Sequence, residues 1–327
     1  MESGNGIKFI TTMNRKKQIL NFAALAVAAI LGGNLSSCSD DNGESYIPSP
    51  TITDKGGNKV LVTGVGSQRF TYDENGKLAS MSYRGETITL QGDKFSFGKK
   101  DGSARVDVYL GSDGLITKIQ FVESDTYETD EGSIEYSYSS DRRLKSINYS
   151  VKGTDKYGGS YGESAKAAYT WKDGNLMQAV IEGNESGQED GESFSESYTQ
   201  NFTFSYGNVP NVSKQLPYYM ADDITVIENI GFCAVGLLGY GPDYLPTGYT
   251  EIESSTEDGK PGKQRTHTYT LTFTQNSNGT LKSEARNGSS ISYTYADALT
   301  RADAVEAQSK EGFALSMRPS FFRHRRK

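Results

Sequence analysis

Phe194-Ser-Glu-Ser-Tyr198-Thr-Gln-Asn-Phe202-Thr-Phe204-Ser-Tyr206 alternates almost without a break. Phe194, Tyr198, Phe202, Phe204 and Tyr206 fall on one face, and Ser195, Ser197, Thr199, Asn201, Thr203 and Ser205 on the other. A period of two marks a strand with one buried and one solvated face. At about 3.3 Å per residue this strand runs roughly 43 Å, well beyond the usual length, which predicts a tall sheet or barrel. Thr266 to Thr274 repeats the pattern, with five threonines alternating with His267, Tyr269, Leu271 and Phe273.

Outward from these strands, turn chemistry recurs: Asp73-Glu74-Asn75-Gly76, Ser112-Asp113-Gly114, Ser139-Ser140-Asp141-Arg142, Lys172-Asp173-Gly174-Asn175 and Ser277-Asn278-Gly279. These read as hairpin turns. Three of them lead into one phrase, Leu78-Ala-Ser-Met81-Ser-Tyr83, Ile116-Thr-Lys-Ile119-Gln-Phe121 and Leu144-Lys-Ser-Ile147-Asn-Tyr149. Leu176 to Ile181 fits it partly, and the stretch from Leu281 matches only at its first position. The repeat is a hairpin of about 30 residues. Its leading Leu or Ile falls on the opposite face from the fourth and sixth residues of the phrase, so it packs under the turn or sits at a bulge. A chain with 36 glycines, 21 tyrosines and 11% aromatic residues suits strands and tight turns, not a helical bundle. The expected fold is mainly β, a long antiparallel meander of hairpins forming a curved sheet or barrel. One segment departs from it: Asp222 to Tyr240 has apolar residues at helical as well as continuous spacing and two acids at its start, predicting a short buried helix.

The N-terminus carries a different signal. From Met13 the chain reads Met-Asn-Arg-Lys-Lys-Gln-Ile-Leu, then an apolar stretch, then Leu35-Ser36-Ser37-Cys38. A basic region, an apolar region and small residues in that order form a secretory signal. Ile19 to Gly33 rises only about 22 Å as a helix, short of a bilayer core, so cleavage is expected instead of an uncleaved anchor. Met13 makes a better start than Met1. Leu-Ser-Ser-Cys resembles the lipobox of bacterial lipoproteins, which implies acylation of Cys38 and attachment to a membrane through lipid. The run Ser39-Asp40-Asp41-Asn42-Gly43-Glu44 is similar to the surface-export signal of Bacteroidota lipoproteins, and is equally a solvated linker. The expected order is a signal peptide over 1–37, a lipidated tether over 38–57, a β domain over 58–295 and a tail over 296–327, part of it helical.

Two further motifs, Tyr72-Asp-x-x-Gly-x-Leu78 and Gly236-Leu-Leu-Gly-Tyr-Gly-Pro-Asp-Tyr-Leu-Pro-Thr247, together resemble a Bacteroidota lipoprotein domain of unknown function with a porin-like β fold. The first is also similar to the tyrosine-aspartate repeats of large secreted shell proteins. Neither resemblance implies catalytic residues.

Charge narrows the partners. The chain carries -7 overall, residues 1–37 carry +3 and the last ten carry +5, which leaves -15 on residues 38–317. Such a body repels nucleic acid and anionic lipid. Cys38 and Cys233 lie far apart in role: one is the lipidation residue, the other a small core hydrophobe, and no disulfide framework exists. The two histidines, His267 on a strand's inward face and His324 in the basic tail, suggest no nucleophilic triad and no zinc site, and His267 reads as structural. Acids cluster at Asp125, Glu128, Asp130 and Glu131, and at Glu185, Glu189, Asp190 and Glu192, without calcium-loop spacing, and read as solvated loops. Trp171 and the tyrosines can stack on sugars, but strands favour such residues for packing.

The expectation is a lipid-anchored, non-enzymatic binding protein at the outer membrane, facing the cell surface, with no cofactor and a glycan, peptide or partner protein as ligand. Three other readings stay open: a periplasmic carrier of a lipid or apolar ligand, a glycan hydrolase using a carboxylate pair, and a membrane-spanning barrel with its apolar face in lipid.

Overall fold

The computed structural model describes residues 52–83, 86–98, 103–124, 128–155, 158–189, 192–225 and 231–296. Cys38, the signal segment, most of the tether and the basic tail lie outside them. The first strands are β1 (Ile52–Thr53), β2 (Lys59–Val65), β3 (Gln68–Tyr72), β4 (Leu78–Tyr83), β5 (Glu86–Gln91), β6 (Lys94–Gly98), β7 (Ala104–Leu110), β8 (Ile116–Ser124) and β9 (Glu128–Tyr138). There follow β10 (Leu144–Asp155), β11 (Ser160–Lys172), β12 (Asn175–Glu189) and β13 (Glu192–Pro210). After the helix α1 (Tyr218–Ile224) come β14 (Tyr244–Glu257), β15 (Lys260–Pro261), β16 (Arg265–Gln275), β17 (Leu281–Arg286) and β18 (Ser289–Ala296). The sheet thus begins at Ile52, inside the segment expected as tether, because Ile52 and Thr53 pair with Val60 and Lys59.

Sixteen of these strands, all but the two-residue β1 and β15, close into an up-and-down antiparallel barrel. Each pairs with its predecessor in the chain, and β18 closes the ring on β2 through Tyr293↔Val65 and Thr294↔Gly64. Closure removes the edge strands that a meander of this length otherwise exposes. The barrel is lopsided: β13 has 19 residues and β12 has 15, whereas β3 and β6 have 5 each.

Alternation decides the two faces as expected, apolar inward and hydroxyl outward. Phe202 and Phe204 are 1% and 3% exposed, while Ser195, Ser197, Thr203 and Ser205 on the opposite face of β13 are exposed. On β16, Thr266, Thr268, Thr270, Thr272 and Thr274 are all exposed. A barrel immersed in lipid needs an outward apolar band about 25 Å tall. Here the exposed large apolar side chains among the described residues are Val122, Met177, Val209, Tyr244 and Ile252, too few to form such a band.

The hairpin phrase has a structural meaning. At Leu78, Ile116, Leu144, Leu176 and Leu281 the strand register slips, so each leading residue sits at a bulge. All five are also buried beneath their turns, at 5% exposure or less. A bulge leaves a backbone group without its ladder partner, and an aromatic residue at the end of a nearby strand supplies one. The Tyr138 hydroxyl donates to the Ile116 carbonyl at 2.8 Å, the Trp171 indole N–H to the Leu144 carbonyl at 2.7 Å and the Tyr206 hydroxyl to the Leu176 carbonyl at 2.8 Å. The motif beginning at Tyr72 contains both parts: the Tyr72 hydroxyl donates to the Val62 carbonyl, Asp73 accepts from the backbone N–H groups of Asn75 and Lys77, and Gly76 takes the left-handed conformation at φ 70°.

The segment expected as a helix over 222–240 is built otherwise. The helix lies earlier, at Tyr218–Ile224, starting after Pro217 and ending at an extended Thr225. Gly231, Gly236 and Gly239 all have positive φ, and Ala234, Gly236 and Gly239 each donate to the carbonyl three residues back. Glycines that must be left-handed turn the chain repeatedly where a helix needs continuous right-handed backbone.

The described parts of the connection from β13 to β14, residues 211–225 and 231–243, plug one end of the barrel. Tyr169 of β11 donates to the Ile224 carbonyl at 2.7 Å, Tyr295 of β18 donates to Gln215 Oε1 at 3.0 Å, and the Ile116 N–H of β8 donates to the Leu237 carbonyl at 2.9 Å. Gly231 sits against Gln68 and Phe70 of β3. One segment therefore touches four strands of the barrel wall, β3 and β18 in one region and β8 and β11 in another. Cys233 lies in it fully buried, as expected of a core residue.

Candidate functional site

The turns Asp54 to Gly57, Asp73 to Gly76, Gly111 to Gly114, Ser139 to Arg142, Asp173–Gly174 and Asn276 to Gly279 fall at the plugged end. Strands β8 to β14 and β16 rise from there to a tall opposite rim, and their inward faces change character on the way up. Below, they carry Ile119, Ile134, Ile147, Ala167 and Ile181; near the rim they carry Phe121, Glu123, Asp130, Tyr161, Glu163, Glu185, Phe194, Glu196 and Tyr198.

Rim aromatics lie across glycines. Gly153 pairs with Tyr161 on one side and Asp130 on the other, and Tyr161 crosses it to donate to Asp130 at 2.6 Å. Gly183 pairs with Tyr198, whose hydroxyl reaches Glu163 at 3.1 Å. Gly132 pairs with Phe121, whose ring stacks on Tyr149 with centroids 6.4 Å apart. Gly187 pairs with Phe194. A methyl group at Gly132, Gly153 or Gly183 would overlap the ring above it. Glycine inside a strand otherwise weakens it, and here it marks close approach. Burial and the bonded Asp130 carboxylate push the Tyr161 hydroxyl up, out of reach of ionisation at neutral pH.

Asp130 and Glu185 were expected in solvated loops. They face inward at 5% and 7% exposure, because β9 already begins at Glu128 and β12 continues to Glu189. Asp125 and Asp190 lie outside the described residues, as does the side chain of Glu189. No group of acids, histidines and cysteines among the described residues has metal-binding geometry.

A second polar cluster lies deeper, where β14, β16 and β17 meet the plug. Arg286 pairs with Asp223 of α1, and the Tyr249 hydroxyl donates to the same carboxylate. The guanidinium lies between the rings of Tyr219 and Tyr269, 4.8 Å and 5.5 Å from their centroids. Tyr269 stacks on Tyr249 at 4.7 Å and donates to Glu251 Oε2 at 3.2 Å, and Gln200 donates to Glu251 Oε1 at 3.1 Å. Burial, then the neighbouring Glu253 and Asp223, push the Glu251 carboxyl up to about 8. Glu284 is likewise pushed up to about 8 by burial, and accepts the Tyr219 N–H of α1 at 2.8 Å. His267 pairs in register with Glu251 and stands 4.0 Å from Glu253, a half-buried place on the inner wall. Both oxygens of Glu251 are engaged by the wall itself, and the Glu253 carboxyl lies beside it on the same face of β14. Sequence spacing gave no sign of this cluster, since Gln200, Glu251 and Arg286 come together through the pairing of β13, β14, β16 and β17, and Asp223 through the packing of α1 on them.

No protein-family model matches the chain, and no curated protein matches it. Solved structures do. A porin-like protein from Bacteroides vulgatus is similar over 73% of this chain and 99% of its own, at 14% identity and a TM-score of 0.43. A porin-like protein from Bacteroides uniformis is similar over 70% of this chain and 90% of its own, at 17% identity and a TM-score of 0.39.

Proposed function

We propose that the chain is a lipid-anchored, non-enzymatic binding protein of the outer membrane, held through Cys38, that meets a glycan at its tall rim. The observation that carries this reading is the filled barrel. With the described residues of the connection from β13 to β14 occupying the lower interior, a ligand is met at the rim above them, not in a through-going lumen. Half-exposed Phe121, Phe194 and Tyr198 stand there beside Glu163 and Glu196. Ring faces that stack on sugar C–H groups, next to carboxylates that accept from hydroxyls, are the usual elements of carbohydrate recognition. The same filling speaks against a carrier of apolar cargo, and the hydroxyl-covered outer face speaks against a barrel immersed in lipid.

The test is titration of the folded protein against a panel of oligosaccharides, with the double variant Phe194→Ala/Tyr198→Ala beside it. Saturable binding that the variant weakens at least tenfold supports the reading. Equal binding by both proteins, or none across the panel, removes the rim as a glycan site.

A further inference from the structure

We propose that the turn end of the barrel rests on the bilayer surface through Met177, Val209 and Tyr244, with the rim directed away from the membrane. This inference rests on the lipid anchor proposed above and adds to it a contact surface and an orientation.

Three observations converge on that end. First, the chain enters there: β1 pairs beside the turns, and Lys55 binds the turn from β16 to β17, its N–H donating to the Asn278 carbonyl at 2.9 Å and its ammonium to the Ser277 carbonyl at 2.6 Å. The segment from Cys38 to Ile52 spans at most about 50 Å when extended, so it tethers the domain without fixing its attitude. Second, three of the five exposed large apolar side chains gather there, Met177 at 36%, Val209 at 50% and Tyr244 at 40% exposure, near the ends of β12, β13 and β14. Hydrogen bonds join them to the entry point: Gln275, which precedes the turn that Lys55 binds, donates to the Pro210 carbonyl at 2.9 Å, and the Tyr244 N–H donates to Asn175 Oδ1 at 3.0 Å. Third, the ends differ in charge. Around the patch, Lys172 and Lys214 stand with Asp173 and Asp243, a balanced set, and Lys214 pairs with Asp243 at 2.8 Å. The rim strands carry Glu123, Asp130, Glu131, Glu163, Glu185 and Glu196 against Lys152, Lys260, Lys263 and Arg265, a net negative set that an anionic lipid surface repels. A tyrosine flanked by aliphatic side chains suits the headgroup level of a bilayer.

The experiment uses the full chain, made in cells that process lipoproteins and reconstituted into phosphatidylcholine–phosphatidylglycerol vesicles with brominated acyl chains. Two variants each add one tryptophan to the native Trp171: Tyr244→Trp at the patch and Lys260→Trp at the rim. The expected result is that the tryptophan at 244 loses about half of its emission to bromine, while the one at 260 is quenched no more than Trp171 alone. Quenching at 260 instead, or none at 244 in protein shown by mass to be acylated, overturns the orientation. Should Tyr244→Trp fail to fold by circular dichroism, Val209→Trp reads the same patch and decides by the same outcomes. A mass without acyl groups, with protein that leaves the vesicles, overturns the anchor itself and is told apart from a wrong orientation by that mass alone.

Discussion

Tyr161 lies across Gly153 and donates its hydroxyl to Asp130 two strands away, at 2.6 Å. The missing Cβ at position 153 is what lets one side chain span a whole strand and bind an inward carboxylate. Gly153→Ala therefore forces Tyr161 or Asp130 to move, and overpacking of this kind costs about 1–3 kcal/mol. Gly162, on the adjoining strand, has only the Val151 carbonyl nearby, at 3.8 Å from an added Cβ, so Gly162→Ala is expected to be neutral or slightly stabilising. Urea titrations of the two variants give the comparison; equal midpoints would mean that the ring is not seated on the glycine.

The aromatic clasps at the bulges of Ile116, Leu144 and Leu176 make a second prediction. Tyr206→Phe keeps the ring and removes the donor to the Leu176 carbonyl, leaving a buried acceptor without its partner. The expected loss is about 1–3 kcal/mol. Tyr138→Phe does the same at Ile116, two hairpins away, so the double variant is expected to lose the sum of the single losses. A shared loss smaller than the sum, read from the same titrations, would show the two clasps to be one coupled unit.

These clasps also mark how far the chain could be read by eye. Alternation from Phe194 to Tyr206 gives the inner and outer faces of β13 because a strand's period is local. The repeated leucine phrase gives the turns and bulges, and even Leu281, where the phrase stops matching, keeps its bulge. What alternation does not give is strand length. Asp130 and Glu185 look like loop acids, since the aromatic rings that shelter them belong to neighbouring strands. Nor does it give the plug: Phe232, Val235 and Leu238 suit a helix by spacing, and the left-handed glycines among them decide otherwise. The cluster of Arg286, Asp223, Tyr249 and Glu251 was illegible for a third reason, that its members meet only when β14, β16 and β17 pair and α1 packs on them.

Stability should fall as pH rises across neutrality. Glu284 titrates near 4.5 when unfolded and is pushed up to about 8 by burial in the native barrel. Between those values the native state holds a proton that the unfolded chain has released, so stability present at pH 4.5 is lost as pH approaches 8. The slope from this one group is roughly 1 kcal/mol per pH unit. Glu284→Gln keeps an oxygen for the Tyr219 N–H and cannot ionise, so the variant should lose that slope and outlast the native protein at pH 8. Urea midpoints at pH 5, 6.5 and 8 measure it. Parallel curves for both proteins would show that Glu284 is ionised in the fold.

Arg286 and Asp223 fasten the plug to the wall, and Cys233 reports on that fastening. Arg286→Met removes the cation that balances Asp223, and an uncompensated carboxylate among Tyr249, Tyr269 and Glu251 destabilises by about 3–5 kcal/mol. The penalty falls on the segment that carries Asp223, so the plug should open more often than the barrel unfolds. Cys233, buried in that segment, is unreactive while the plug is seated. In a Cys38→Ser background, a thiol reagent should label Cys233 at least tenfold faster in the Arg286→Met protein. Adding Asp223→Asn removes the stranded charge and should return most of the protection. If labelling accelerates only in parallel with global unfolding, the plug and barrel open as one unit, and the ion pair serves the whole fold instead of fastening one segment of it.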